Sequence, residues 1–385
     1  MSAKSGKVVD ADGHILEPPG LWEEYLEPEY KARAIRIAVD ERGLEYLEVD
    51  GRRSEAGAEG TLGNVATAGK SMEWRLQHSL KPGAFTYQDG LDLAPGSADP
   101  HERIKVLDQD GIDIALLYHT IIVQTQTEWT DPELAAAYAR AYNNWIMDFC
   151  KPYPDRLIAI PHISVADIDE GVKELRRVAG LGTKAITIGT EAPDRRPYGD
   201  HRYDPFWAEA QDTGLPVTIH PHDSINAPGV IQGYYKITYA DTYWWHLTTA
   251  VLDVPLALAS FFQGGVFERF PGLRLVVLES GCGWLQWWLD RMDEKYEIAG
   301  FTTGCRRPPS EYFKEQCWIS IDPDEAFAPA VIERVGADRF MWASDYPHSD
   351  GVPDPVAVVK ETLKGLPAAD RDMILGGNAV KLYGL

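Results

Sequence analysis

Eight short runs of apolar, β-prone residues recur along the chain, each followed by a helix-like segment or a loop. They are Val8–His14, Ile112–Tyr118, Leu157–His162, Lys184–Ile188, Pro216–His220, Leu273–Glu279, Cys317–Ile321 and Phe340–Asp345. Stretches such as RLIAI and LRLVVL are apolar at odd and even positions alike, so a strand there is covered on both faces. Between the runs lie helical patterns at 101–111, 132–150, 167–180, 205–214 and 325–336, most of them closing on a glycine. Strands alternating with helices imply a parallel sheet. Eight such units predict a (β/α)8 TIM barrel, one α/β domain over residues 1–385. No G-x-G-x-x-G follows any run, which disfavours a dinucleotide-binding open sheet.

The rhythm breaks once, between the first two runs. There, AIRIAVDERGLEYLEVDGR predicts a β-hairpin turning at Glu41-Arg42-Gly43. The Gly- and Ala-rich stretch 54–71 reads as a flexible loop. Residues 15–100 are expected to form a cap-like insertion. Because it follows strand 1, it must emerge at the strands' C-terminal ends, where barrel enzymes build their sites.

Formal net charge is −22, from 59 acidic against 37 basic residues. Such a chain repels polyanions, so neither nucleic acid nor an anionic membrane is an expected partner. The N-terminus has no apolar core of a secretion signal, and no stretch approaches a membrane span. Cys150, Cys282, Cys305 and Cys317 are widely spaced, as expected of reduced thiols in a cytoplasmic protein. Trp244, Trp245, Trp284, Trp287 and Trp288 gather around strand 6. They are expected in the core or at the interface of a homodimer or larger homo-oligomer, with Trp284 close enough to line the mouth.

The strand ends carry unusual chemistry. Strand 1 ends with Asp10, Asp12 and His14, strand 5 with His220 and His222, strand 6 with Glu279, and strand 8 with Asp345 and His348. Burying an unpaired carboxylate is costly, so Asp345 at the end of an apolar run needs a partner. Asp12 and His14, two apart, face the same side of a strand. With His220 and Asp345 they make a set of two imidazoles and two carboxylates. That set suits a divalent transition metal: zinc first, iron or manganese also. Singly, each residue has a bland explanation, as a turn acid or a satisfied histidine. His162 also ends a run and is read as structural.

The segments DADGHILEPPGLWEEYL, HPHDS, FERFPGLRLVVLESG and WASDYPH together resemble the amidohydrolase superfamily, in particular its amidohydrolase 2 branch. That branch includes aminocarboxymuconate-semialdehyde and γ-resorcylate decarboxylases. The resemblance implies a (β/α)8 barrel with Asp12, His14, His220 and Asp345 as metal ligands. It also exposes a departure: the decarboxylases carry a catalytic histidine at the end of strand 6, where this chain has Glu279. An ionised Glu is a poor proton donor for carbon, but it is a good extra ligand for one or two ions. The sequence therefore favours hydrolysis of an acyl bond in a small molecule. Asp345 would handle the proton of a metal-bound water, assisted by His222, His246 or Glu279. Non-oxidative decarboxylation or hydration on the same site is the alternative.

Overall fold

The structure is a computed structural model. It describes residues 6–54, 60–79, 81–221 and 242–385, with side chains from 252 onward in the last segment. The strands in chain order are β1 (Val9–His14), β2 (Arg36–Val39), β3 (Glu45–Val49), β4 (Arg52–Arg53), β5 (Ile114–Tyr118), β6 (Leu157–Ala159), β7 (Ile186–Gly189), β8 (Val217–His220), β9 (Leu275–Val277), β10 (Cys317–Ile321) and β11 (Phe340–Trp342). All eight expected runs contain a strand, trimmed by one to three residues at some ends and, for β7, extended by one to Gly189.

Strands β1-β5-β6 form one parallel set and β7-β8-β9-β10-β11 another. Backbone bonds join the two sets at both seams. Thr187 N donates to Pro161 O (2.9 Å) and Ile163 N to Thr187 O (2.9 Å). At the other seam Asp345 N donates to Asp12 O (3.0 Å) and His14 N to Tyr346 O (2.7 Å). Backbone pairing thus passes through all eight strands and returns to the first.

Alternation along these strands feeds two cores. Ala115 and Leu117 pack outward among the helices. Ile114, Leu116 and Tyr118 turn inward to meet Val9, Ala11, Ile158, Ile160, Val276, Leu278 and Met341. Ala379, Leu382 and Tyr383 of the C-terminal helix Asn378–Tyr383 join that inner cluster, and Arg274 Nη1 donates to Leu382 O (3.1 Å). Burial on both faces is why the sequence reads as continuous apolar runs rather than as alternation.

The long helices start where acidic caps stand. Asp131 accepts from the N–H groups of Glu133 and Leu134 at the head of Pro132–Cys150, and Asp167 from Glu170 N at the head of Ile168–Gly180. The helix expected over 325–336 begins later, at Ala328. Glu325 is committed elsewhere, accepting from Cys282 N and Gly283 N.

Within 15–100 the hairpin forms as expected: β2 pairs antiparallel with β3, and Asp40 and Leu44 close the turn. Of the stretch 54–71, residues 55–59 lie outside the described residues; the part that follows differs from expectation, because Leu62–Ala66 is a 3-10 helix with Leu62, Gly63 and Ala66 buried. Glycine is there for closeness rather than mobility. A Cβ at Gly63 would lie 2.0 Å from Thr86 O. The segment then meets the loop after β11: Ala68 N donates to Pro347 O (3.1 Å), Gly69 N to Gly351 O (2.8 Å), and the Arg75 guanidinium to Ser349 O.

Trp284 packs partly buried against the core, and Trp287 is 60% exposed. The side chains of Trp244 and Trp245 lie outside the described residues. Gly63→Ala should lower the unfolding free energy by about 1–3 kcal/mol. Gly180→Ala, whose added methyl meets nothing within 4 Å, should leave it within about 0.5 kcal/mol or raise it slightly. Urea unfolding of both variants checks this.

Candidate metal centre

Strand ends bring the candidate residues to one point. Asp12, His14, His220 and Glu279 each offer a ligand atom, all mutually within 4.8 Å; so do His14, Glu279, Asp345 and His348. Every residue given a ligand or catalytic role from the sequence that lies among the described side chains is in these two overlapping groups. His222 lies outside the described residues. His246 lies on the helix Thr242–Gln263, with its side chain outside them.

The two central imidazoles are held in one tautomer. His14 Nδ1 lies 2.7 Å from the carbonyl oxygen of His119, and His220 Nδ1 lies 2.7 Å from that of Pro221. A carbonyl only accepts, so both Nδ1 atoms carry hydrogen, and each neutral ring turns a bare Nε2 lone pair inward. These two Nε2 atoms stand 3.1 Å apart. Around them lie Glu279 Oε2, at 2.6 Å from His220 and 3.5 Å from His14, Asp12 Oδ1 at 3.5 Å and Asp345 Oδ1 at 3.7 Å from His14. Neither carboxylate oxygen of Asp12 has a hydrogen-bond partner, and the residue is 1% exposed. Facing lone pairs ringed by buried carboxylates repel unless a cation sits among them. The donor set and the orphaned oxygens therefore fit a divalent metal ion.

Without such an ion the protonation states show the same demand. Burial pushes Asp12 well above the usual carboxylate range, and the charge of Glu279 adds to the push. Burial and Glu279 act in the same way on Asp345. Burial alone would lower His220, but Glu279 and Asp12 outweigh it and raise the ring to about 9. His14 is lowered by burial. Burial disfavours ionised Glu279 too, yet His220 and the hydrogen bonds of both rings hold it well below its ordinary value. A proton on His220 Nε2 is one cation that quiets the cluster; a metal ion is the other.

The local backbone is bent to deliver these groups. Glu279 (φ 42°) and Asp345 (φ 54°) both sit in the left-handed region, which costs a non-glycine residue about 1–2 kcal/mol. Each is clamped. Glu279 N donates to Ser320 Oγ (3.2 Å), and Glu325 holds the next turn through Cys282 N and Gly283 N, both at 2.8 Å. Beside Asp345, Ser344 N and Oγ both donate to the Asp10 carboxylate, at 2.8 and 2.6 Å. Arg103, fully buried, donates from Nη1 to His14 O (2.7 Å) and lies over the Tyr346 ring.

Sequence reasoning missed His119, Arg103, Glu325 and Thr120, and named Asp10 without a role. Only His119 had a visible signal, as a ligand-type residue directly after an apolar run. His162 is buried, its backbone gripped on both sides by Asn143, and burial lowers its ring to about 3. That agrees with the structural reading.

The amidohydrolase family model (Amidohydro_2) matches residues 9–385. The chain belongs to that family. It is 27% identical over 292 residues to the 2-amino-3-carboxymuconate-6-semialdehyde decarboxylase of Dictyostelium discoideum, covering 74% of this chain and 77% of that one. It is 27% identical over 262 residues to the γ-resorcylate decarboxylase of Rhodococcus jostii RHA1, covering 64% and 76% respectively. Among solved structures, an amidohydrolase from Mycobacterium avium subsp. paratuberculosis superposes with a TM-score of 0.81 at 23% identity, over 99% of this chain and 100% of that one. No helix of the described residues is long and apolar enough to cross a membrane.

Protein purified without chelators should carry a divalent transition metal by elemental analysis, and His220→Ala should lose most of it. Adding metal back to stripped protein at a hundredfold excess over Kd should raise the unfolding free energy by about 2.7 kcal/mol, visible as a rise in Tm. No metal and no shift in Tm would remove the assignment.

Proposed function

We propose that the chain is a metal-dependent, non-oxidative decarboxylase of a small hydroxyaromatic or muconate-type carboxylic acid. Its site would lie in the mouth of a closed (β/α)8 barrel partly covered by residues 15–100. The reading reverses the order favoured by sequence, in which hydrolysis came first because strand 6 ends in Glu279. The observation that carries it is Asp345. This buried carboxyl faces the cluster with Oδ1 2.8 Å from His348 Nδ1, so a proton donor stands at strand 8 and none is needed at strand 6. The two decarboxylases similar to this chain support the same choice. The cap is supported by the contacts of Ala68, Gly69 and Arg75 with the loop that follows Asp345.

Asp12, His14, His220, Glu279 and Asp345 would hold one ion or two; when bound, the metal supplies fixed positive charge that anchors and polarises the oxygens of the acid. Asp345 gives the proton from its carboxyl to the carbon bearing the carboxylate. The bond from that carbon to the carboxylate then breaks, its electron pair returns to the conjugated system, and CO2 leaves. Asp345, now a carboxylate, regains a proton through His348. Burial of Asp12, His14 and His220 to 1% exposure or less keeps bulk water from competing. Four free, buried cysteines suit a reducing cytoplasm. Self-association belongs to the same proposal, with Trp287 as an exposed aromatic.

A second reading, acyl hydrolysis, is favoured by Glu279, whose Oε2 lies inside the cluster beside His220. The experiment is a panel assay on metal-loaded protein: CO2 release from hydroxybenzoates and a carboxymuconate semialdehyde, beside acid release from esters, thioesters, lactones and amides. CO2 release with no acyl cleavage is the expected result, and acyl cleavage alone would replace the proposal with hydrolysis. Asp345→Asn should lower turnover by about 10²–10⁴. A rate within threefold of the parent would show that Asp345 is not the donor.

A further inference from the structure

The histidine beside Asp345 has its own orienting partner. Thr120 Oγ1 lies 2.6 Å from Ile15 O and 2.8 Å from His348 Nε2. A carbonyl cannot donate, so the Thr120 hydroxyl hydrogen is spent on Ile15 O. Only lone pairs remain for His348, and the 2.8 Å contact therefore requires hydrogen on Nε2. The backbone that carries the threonine is held in place. Its N–H donates to Glu17 Oε1 (3.1 Å), the next N–H, Ile121, donates to Glu17 Oε2 (2.9 Å), and Thr120 and Glu17 are both buried. The His348 ring is fixed from its face as well, stacked on His14 with centroids 3.9 Å apart and planes 27° apart.

We infer that Thr120 is a positioning residue that locks His348 as the Nε2–H tautomer and presents its Nδ1 lone pair to Asp345. This deepens the proposed function and rests on Asp345 as the donor named there. Nδ1 of a ring so oriented faces Asp345 Oδ1 at 2.8 Å, the contact through which the pair exchanges its proton. Without the Thr120 acceptor, nothing at Nε2 would hold the ring to that tautomer.

The test reads the tautomer directly. The protein is labelled with 15N-histidine and loaded with zinc, and the His348 resonances are assigned by their loss in His348→Gln. The parent should give one protonated nitrogen at Nε2 and one bare nitrogen at Nδ1. Thr120→Val, which keeps the shape and removes the hydroxyl, should move His348 to the other tautomer or to a mixture, and Thr120→Ser should restore the parent pattern. On the substrate identified by the panel, Thr120→Val should lower kcat about tenfold or more. KM should stay within about threefold and metal content should not change, with recovery in Thr120→Ser. Hydrogen on Nδ1 or on both nitrogens in the parent would overturn the inference, as would a parent-like spectrum in Thr120→Val. Should the panel return only acyl cleavage, the decarboxylase reading falls while the tautomer spectra still decide the role of Thr120.

Discussion

Two bare imidazole nitrogens 3.1 Å apart, with the buried carboxylates of Asp12 and Asp345 and the half-buried one of Glu279 around them, cannot coexist in a folded interior without a cation. The rest of the molecule is arranged around that constraint. The residues come from the ends of β1 and β8 and from just beyond β9 and β11, so no local segment could assemble them. Pairing through the eight strands brings these ends to the same side, and one of the two seams is sewn by backbone bonds of the site itself. Asp345 N donates to Asp12 O, and His14 N to Tyr346 O. The bonds that join β1 to the segment after β11 are thus made by residues of the cluster and their neighbours.

That repulsion explains why so much of the neighbourhood serves to hold backbone in place. Left-handed conformations at Glu279 and Asp345 point carboxylates inward where an extended strand would have carried them past the site. Each is kept there by an acid from elsewhere in the chain, half-buried Glu325 in one case and buried Asp10 in the other. Arg103, fixed to the carbonyl of His14, places a buried positive charge behind β1, where it helps Asp10 stay ionised against its burial. Acids that support ligands, rather than bind anything, account for part of the acidity that the composition alone assigns to solubility.

The parts of this arrangement legible in the sequence are those with a period or a fixed spacing. Runs such as Phe340–Ala343 announce buried strands, and Asp12-x-His14 announces a shared face. The clamps are not legible, because they are written in single residues that act on backbone groups far away in the chain. Nothing about Thr120, Glu17 or Glu325 distinguishes them from ordinary loop and surface residues until the fold sets them against Ile15, Ile121 or Cys282. The segment Leu62–Ala66 departs from the expected loop for a related reason. Glycine permits both mobility and close approach, and only the carbonyl of Thr86 above Gly63 tells which applies. Glu279 stands in the cluster as the sequence suggests, and it weighs less as a guide to the chemistry under the proposed reading, in which strand 8 would supply the donor that strand 6 lacks.

Charge counting shows why a glutamate at position 279 is compatible with either chemistry and yet not neutral in effect. With the proton of the Asp345–His348 pair on Asp345, the cluster holds two negative charges, Asp12 and Glu279, which one divalent cation balances. A histidine at 279 would leave the same centre with one net positive charge, a better anchor for an anionic acid. The site as it stands must draw its affinity for a carboxylate from elsewhere: direct coordination, hydrogen bonding, or apolar contact with the rest of the substrate. Acyl hydrolysis would not need the additional charge, since a neutral ester or amide brings none to be matched. What separates the two chemistries at this centre is therefore the location of one proton. Held on Asp345, it can be delivered to carbon. Lost from Asp345, it leaves a base that can take a proton from water. In the proposed reading, the hydroxyl of Thr120 would act on that proton only indirectly, by orienting the His348 ring that lies against Asp345.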